Sequence, residues 1–318
     1  MTHLRIAILA AALSFAVLSA GAGRADVPGL SLVPGAAVPA AAASAAVVPS
    51  FDDYSLSLRP GPKVLYADAA APAADAGGSD DDLAKKLQNP VASLISVPLQ
   101  FNYDEPIGPK NAARYTLNIQ PVIPITLNQD WNLIVRTIVP LTYNESSRDG
   151  QPYKFGTGDV VQSLFFSPKQ PVGGWILAIG PVFLWPTASD DSLGSGQWGA
   201  GPTALALKQD SGWTYGILAN HLWSYAGPHA RQDVNATFIQ PFISYTWPTA
   251  TTIGLNTEST YDWTNKQWTI PINLSVSQLV KFGGQPVSFS LGGRYYAEGP
   301  SGGPEWGVRF VVTFLFPK

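Results

Sequence analysis

The 318-residue sequence has no cysteine, one methionine and three histidines, and only 13% of its residues are charged. Without cysteine there is no disulfide framework, thiol chemistry or thiolate metal site to consider. The shortage of charge excludes more. A soluble β-rich chain of this size carries about 25% charged residues, so at 46% hydrophobic something other than water has to cover part of this surface. Beyond its first residues the chain also lacks any run of about 18 apolar residues, the length a spanning helix needs. A bilayer would have to be crossed by closed strands, the other structure that satisfies every backbone polar group in hydrocarbon. A net charge of −3 offers no basic surface to a nucleic acid.

What fills the chain instead is alternation. Segments near 91–103, 113–127, 131–143, 157–167, 174–186, 198–208, 212–225, 235–247, 252–263, 267–280, 286–297 and 305–316 alternate apolar with polar or small side chains. In the second of them Tyr115, Leu117 and Ile119 oppose Arg114, Thr116 and Asn118; in the last, Trp306, Val308, Phe310, Val312 and Phe314 oppose Arg309 and Thr313. Trp175 and Trp185 bracket WILAIGPVFLW, and Trp213 and Trp223 bracket WTYGILANHLW. Their even spacing puts each pair on one side of a strand, and a tilted strand of that length climbs roughly 25 Å, the height of the apolar band between two aromatic girdles. Trp131, Trp247, Trp268 and Trp306 extend those girdles.

A soluble sheet alternates too, and lysine separates the two cases. Lys110, Lys154, Lys169, Lys208, Lys266, Lys281 and Lys318 all fall in loops, at strand ends or at the terminus. A lipid-facing sheet excludes lysine at about 2–4 kcal/mol each near the midplane, whereas a water-facing one scatters it. The connections alternate between tight turns, such as Gln209-Asp210-Ser211, and longer Gly/Asp/Ser-rich loops, such as Asn144 to Gly156 and Thr187 to Gln197. The expected fold is all-β: a transmembrane, up-and-down antiparallel β-barrel of about twelve strands, occupying residues 91–318.

Residues 1–25 have the form of a cleaved export signal, with Arg5 before an apolar core and small residues at the cleavage site. Residues 26–79 are rich in Ala and Pro and bury too little apolar surface to offset ordering, which predicts a disordered periplasmic segment. Residues 80–90 combine Asp80 to Asp82 with Lys85 and Lys86 ahead of Asn89-Pro90. That is the pattern of a short helix with a complemented dipole, lying across the mouth or serving as a solvated tether.

Chemistry is sought in the lumen, where ionisable groups must be hydrated or paired. Strand parity points Arg136, Glu258, Arg294 and Arg309 inward, with Arg114 and Asp159 inward near the outer ends and Gln100 and Asn102 adding hydrogen-bonding groups. These residues predict a basic constriction favouring anionic or polar solutes, or a side-chain network that fills a narrow barrel and holds it shut. A catalytic reading of Asn220, His221 and Ser224 fails on parity, because His221 faces away from the other two. The string Gly194 to Gly199 matches GxGxxG but sits in a loop before a strand, and Asp190-Asp191 reads as a solvated acidic loop. No metal and no cofactor is expected.

Three segments carry a family resemblance: DLAKKLQNPVASLISVPLQFNYDEPIGP, LANHLWSYAG and RFVVTFLFP. From about Asp82 onward the chain resembles bacterial outer-membrane proteins ascribed to transport in phenol degradation of the meta-pathway type, some of them labelled neuromedin U. The resemblance implies a barrel in the outer membrane of a Gram-negative bacterium that takes up small, often aromatic, compounds. Its partners would be outer-membrane lipid, the barrel-assembly machinery and small solutes. That machinery reads a closing aromatic residue, and here Phe316 is followed by Pro317-Lys318. The expected function is passive uptake or passage of small solutes, aromatic or anionic ones among them. The alternatives are a closed structural or adhesive barrel acting through its outer loops, and a lipid-modifying outer-membrane enzyme.

Overall fold

A computed structural model describes residues 79–317; the expected signal peptide and all but the last residue of the Ala/Pro-rich tract lie outside the described residues. A helix, α1 (Asp80–Leu87), precedes fifteen strands. They are β1 (Ile95–Ile107), β2 (Ala112–Ile119), β3 (Val122–Thr126), β4 (Trp131–Asn144), β5 (Lys154–Thr157), β6 (Val160–Pro168), β7 (Ile176–Trp185) and β8 (Trp198–Asp210). They continue with β9 (Trp213–Ala226), β10 (Asn235–Thr246), β11 (Thr251–Thr257), β12 (Ser259–Asp262), β13 (Gln267–Phe282), β14 (Gln285–Glu298) and β15 (Trp306–Phe316). Every ladder is antiparallel, and β15 pairs with β1 in register from Ile95↔Phe316 to Glu105↔Trp306, which closes the sheet.

Three of the breaks are interruptions of one course. β2 and β3 both pair with β1 and β4, β5 and β6 both pair with β4, and β11 and β12 both pair with β10 and β13. Fifteen strands less three breaks leaves a closed barrel of twelve. The first break falls at Gln120-Pro121, where proline has no N–H to give the ladder. The others fall at Gly158-Asp159 and at Glu258, whose side chains serve the loop and the lumen described below. Tight turns join the strands at one end: Ser211 and Gly212 (φ 49° and 88°) and Gly283 and Gly284 (55° and 88°) supply the left-handed pairs that two-residue hairpins require.

The outer surface is apolar over its full belt. Ile179, Leu291 and Leu274 are 66%, 62% and 53% exposed, far beyond what a water-facing sheet leaves uncovered. Trp131, Trp175, Trp213, Trp223, Trp247, Trp268 and Trp306 are exposed on this surface; Trp185 is half-buried against Trp198 and Phe183. At the short-turn end Trp213, Tyr245 and Trp247 form a run of rings, with centroids 5.0 and 5.1 Å apart. At the long-loop end Tyr103, Tyr115 and Tyr143 form another, at 5.2 and 5.9 Å.

The lead-in segment is not a solvated tether. Ser79 caps α1 by accepting from the Asp82 amide, and Leu83 and Ala84, each 3% exposed, pack against Ala92, Leu94, Ala250, Leu279 and Leu315 on the inner face of the short-turn end. Polar contacts pin the segment from three strands: Lys281 pairs with Asp80, Gln209 donates to the Lys85 carbonyl (2.7 Å), and Asn132 donates to Ser93 (3.1 Å). The first strand consequently starts at Ile95 and not at Val91. Val91 belongs to the interior, packed with Ile134, Phe165, Leu207 and Leu218, because the lumen at this level is lined by apolar residues that need a partner.

Candidate functional site

Inward-facing residues divide the lumen into two walls. From β4 through β9 the inner face at the short-turn half is aliphatic and aromatic: Ile134, Phe165, Ala178, Leu205, Leu207 and Leu218, backed by Phe238 and Phe242 of β10. From β11 through β15 and on to β2 it is built of small or hydrogen-bonding residues. The registers Ser275↔Gly292, Ser277↔Ser290, Gly292↔Arg309, Arg309↔Asn102 and Asn102↔Thr116 place them side by side. Period two along each strand keeps every one of them on the inner face.

At the long-loop half of that polar wall, charged groups converge. Arg309 donates Nη1 and Nη2 to the two Glu258 oxygens at 2.8 and 2.7 Å, and Nε to Asn102 Oδ1 at 2.8 Å. Arg294 reaches Glu258 Oε2 at 3.3 Å and both Asp104 oxygens at 3.2 and 3.3 Å, while its Nε donates to Asn273 at 3.0 Å. Tyr296 donates its hydroxyl to Asp104 at 2.9 Å, and its ring lies 5.4 Å below the Arg294 guanidinium. Asn273 in turn donates to Asn256 at 2.9 Å. Asn102, Asp104 and Arg309 are buried, and charges withdrawn from water to this degree hold only when each is paired and hydrogen-bonded.

The residues expected to line the lumen do not form one cluster. Glu258, Arg294 and Arg309 come together, and Gln100 joins at its edge by donating to Asn102 at 3.4 Å. Arg114 is not in the network: it donates to Asn144 at 3.1 Å and lines a separate cavity of about 180 Å³ with Glu145 and Lys154. Arg136 is on β4, donates to Gln120 at 3.1 Å, and forms no ion pair among the described residues. Asp104 is absent from the expected lumen residues because the expected first strand ends near residue 103; β1 runs on to Ile107, so Asp104 faces inward two residues after Asn102. That same parity was the available signal. With Asp104 present, the cluster is not basic but a near-neutral lattice of two arginines and two carboxylates.

Asp159 does not line the pore either. Its carboxylate accepts from the Ala188 amide (3.2 Å) and the Ser195 hydroxyl (2.7 Å), which folds the loop from Thr187 to Gln197 over the mouth. Arg231 holds the same loop from the far side, through the carbonyls of Ser195 (3.0 Å) and Asp191 (2.8 Å). Lys154 pairs with Asp190 at 2.6 Å; with the Ser192 hydroxyl also donating, Asp190 is held well below the usual carboxylate range. The glycines from Gly194 to Gly199 belong to this lid and to the start of β8, with no helix N-terminus to receive a phosphate. Asn220, His221 and Ser224 diverge: His221 Nδ1 meets Thr237 Oγ1 at 2.7 Å and its ring packs on Trp223, while Ser224 donates to Asp233 at 3.1 Å.

No family model and no curated protein matches this sequence. Among solved structures, the barrel is similar to an outer membrane channel from Pseudomonas putida F1, with a TM-score of 0.56 and 11% identity over 70% of this chain and 96% of that one. The outer membrane phospholipase A of Escherichia coli matches with a TM-score of 0.40 and 10% identity over 69% of this chain and 90% of that one. A porin matches with a TM-score of 0.34 and 9% identity over 70% and 97%. The first likeness shows the fold, a closed antiparallel barrel of the outer-membrane kind; the other two are too loose to bear on chemistry.

Proposed function

We propose that the protein is an outer-membrane channel for small polar and anionic solutes, aromatic acids among them, of the type ascribed to uptake in phenol degradation. In that setting the short-turn end is periplasmic, the long loops are extracellular, and assembly passes through the barrel-insertion machinery. The observation that carries the reading is the make-up of the polar wall. Ser275, Ser277 and Ser290, all partly accessible, form along it a lane of short hydroxyl side chains, where longer ones would project into the lumen. The lane runs from the Arg309–Glu258–Arg294–Asp104 lattice toward α1, and the wall opposite is apolar and closed by its own packing with Val91. A ring of charged groups at the narrow point is how pores set selectivity.

Both mouths are occupied, by α1 with its following segment and by the loop from Thr187 to Gln197, and this favours a second reading: a closed barrel acting through its outer loops. Swelling of proteoliposomes in sugars, amino acids and aromatic acids separates the two. A channel admits a size-limited subset, with anionic aromatic acids entering faster than neutral sugars of equal mass. Absence of swelling with every probe, in wild type and in a variant whose α1 is dislodged, overturns passage and leaves the closed barrel.

A further inference from the structure

Away from the outer loops, the described strands turn one arginine more than carboxylates into the lumen. Arg136, Arg294 and Arg309 face it, against Asp104 and Glu258. Arg309 occupies both Glu258 oxygens and Arg294 shares one of them, and among the described residues no ion pair joins Glu258 to Arg136. The guanidinium of Arg136 donates to one neutral amide, Gln120, at 3.1 Å. A guanidinium has five donors and cannot shed its proton, so a half-buried one with a single amide partner has donors to offer an anion.

Arg136 lines a cavity of about 150 Å³ where the lead-in segment meets the barrel wall. Lys86 of α1 lines it from the other side and, like Arg136, forms no ion pair among the described residues. Asn89 and Gln120 add amides, and Leu94, Pro98 and Val122 supply an apolar floor. We infer that this cavity is a binding site for a small monocarboxylic acid, its carboxylate between Arg136 and Lys86 and its hydrocarbon body on Leu94, Pro98 and Val122. A planar guanidinium grips a carboxylate through two parallel hydrogen bonds, and Lys86 adds a point charge. The volume lies below the roughly 300–1,000 Å³ of sites for drug-sized ligands, which limits the occupant to about the size of one aromatic ring with its acid group.

The inference rests on the channel reading, and it names the solute class and the last station before the periplasm. Because Lys86 and Arg136 belong to different parts of the fold, an occupant ties the lead-in segment to β4 and stabilises the plugged state by mass action.

The test is calorimetric titration of the full chain in detergent with benzoate, and with benzamide as a neutral isostere, alongside hydrogen exchange of residues 83–94. Benzoate is expected to bind at least tenfold more tightly than benzamide and to slow exchange in that segment. R136Q and K86Q are each expected to lose most of the preference. Equal binding of the two probes by the wild type overturns the site without any variant needing to fold, as does unchanged benzoate affinity in both R136Q and K86Q. Swelling is read separately: benzoate binding without swelling refutes passage and keeps the site, and swelling without benzoate preference refutes the site and keeps passage.

Discussion

Arg309 and Glu258 meet in a two-pronged contact, 2.8 and 2.7 Å, although the strands that carry them are not neighbours. Arg309 is on β15 and Glu258 lies between β11 and β12, with β13 and β14 intervening in the sheet. The pair therefore spans the lumen as a chord. Glu258 can reach inward because its own strand is interrupted there, its amide making only a long bond, 3.4 Å, to the Pro271 carbonyl. Arg294 on β14 fills the space beneath the chord and passes the charge on to Asp104 of β1.

Glu258→Gln removes one of two carboxylates facing three arginines. Breaking a buried pair on one side costs about 3–5 kcal/mol, and the partial hydration of Glu258 lowers that to about 2 kcal/mol. The expected outcome is a lower unfolding midpoint in detergent together with a shift toward anion selectivity in planar bilayers. Reversal potentials in a salt gradient check the second part, and an unchanged reversal potential in a conducting variant would show that the lattice does not set selectivity.

Leu83→Asp puts a carboxylate among Ala92, Leu94, Leu279 and Leu315, where it has no donor and costs several kcal/mol. The barrel walls keep their own ladders, so the expected loss is local: α1 leaves the mouth. Faster exchange across residues 80–94 and faster proteoliposome swelling would report it together. Faster exchange with unchanged swelling would mean that the lead-in segment does not limit passage.

The wall of the barrel was legible in the sequence because period two, lysine placement and tryptophan spacing all report on one boundary, that between lipid and lumen. What crosses the lumen was less so. Val91 continues the alternation of the strand after it, and nothing local distinguishes a first strand residue from an apolar residue turned back into the interior. Asp104 was hidden for the opposite reason: an acidic residue before Glu105-Pro106 has the composition of a turn, and its pairing with Gly307 and Arg114 is fixed by partners far along the chain. Arg136 and Arg309 look alike by parity, yet only Arg309 has Glu258 opposite it, because barrel closure and strand tilt decide which levels meet.

The lid over the long-loop mouth carries a pH expectation. Asp190 is depressed by its bond to Lys154, so its contribution is fully present above the ordinary carboxylate range and is lost only as pH falls through the lower folded value. Between neutral pH and the ordinary carboxylate range, protease cleavage within residues 187–197 should stay slow and flat. Asp190→Asn should speed it throughout that window, and a cleavage rate that rises already at pH 6 in the wild type would contradict the clasp.

Leu274 and Leu291 stand on the outer face of adjacent strands, each more than half exposed, and no polar group of the protein covers them. If hydrocarbon wets this belt, Leu274→Arg costs about 2–4 kcal/mol near the midplane, whereas Leu274→Phe is close to neutral. Equilibrium folding into phospholipid vesicles measures the difference directly. The inward neighbour Ser275 gives the control: Ser275→Arg enters the polar lane, where water and Asn273 are at hand, and is expected to be far cheaper to fold while narrowing the path. Equal folding costs for arginine at 274 and 275 would mean that the two faces of β13 meet the same solvent, and the assignment of lumen and lipid would fail with it.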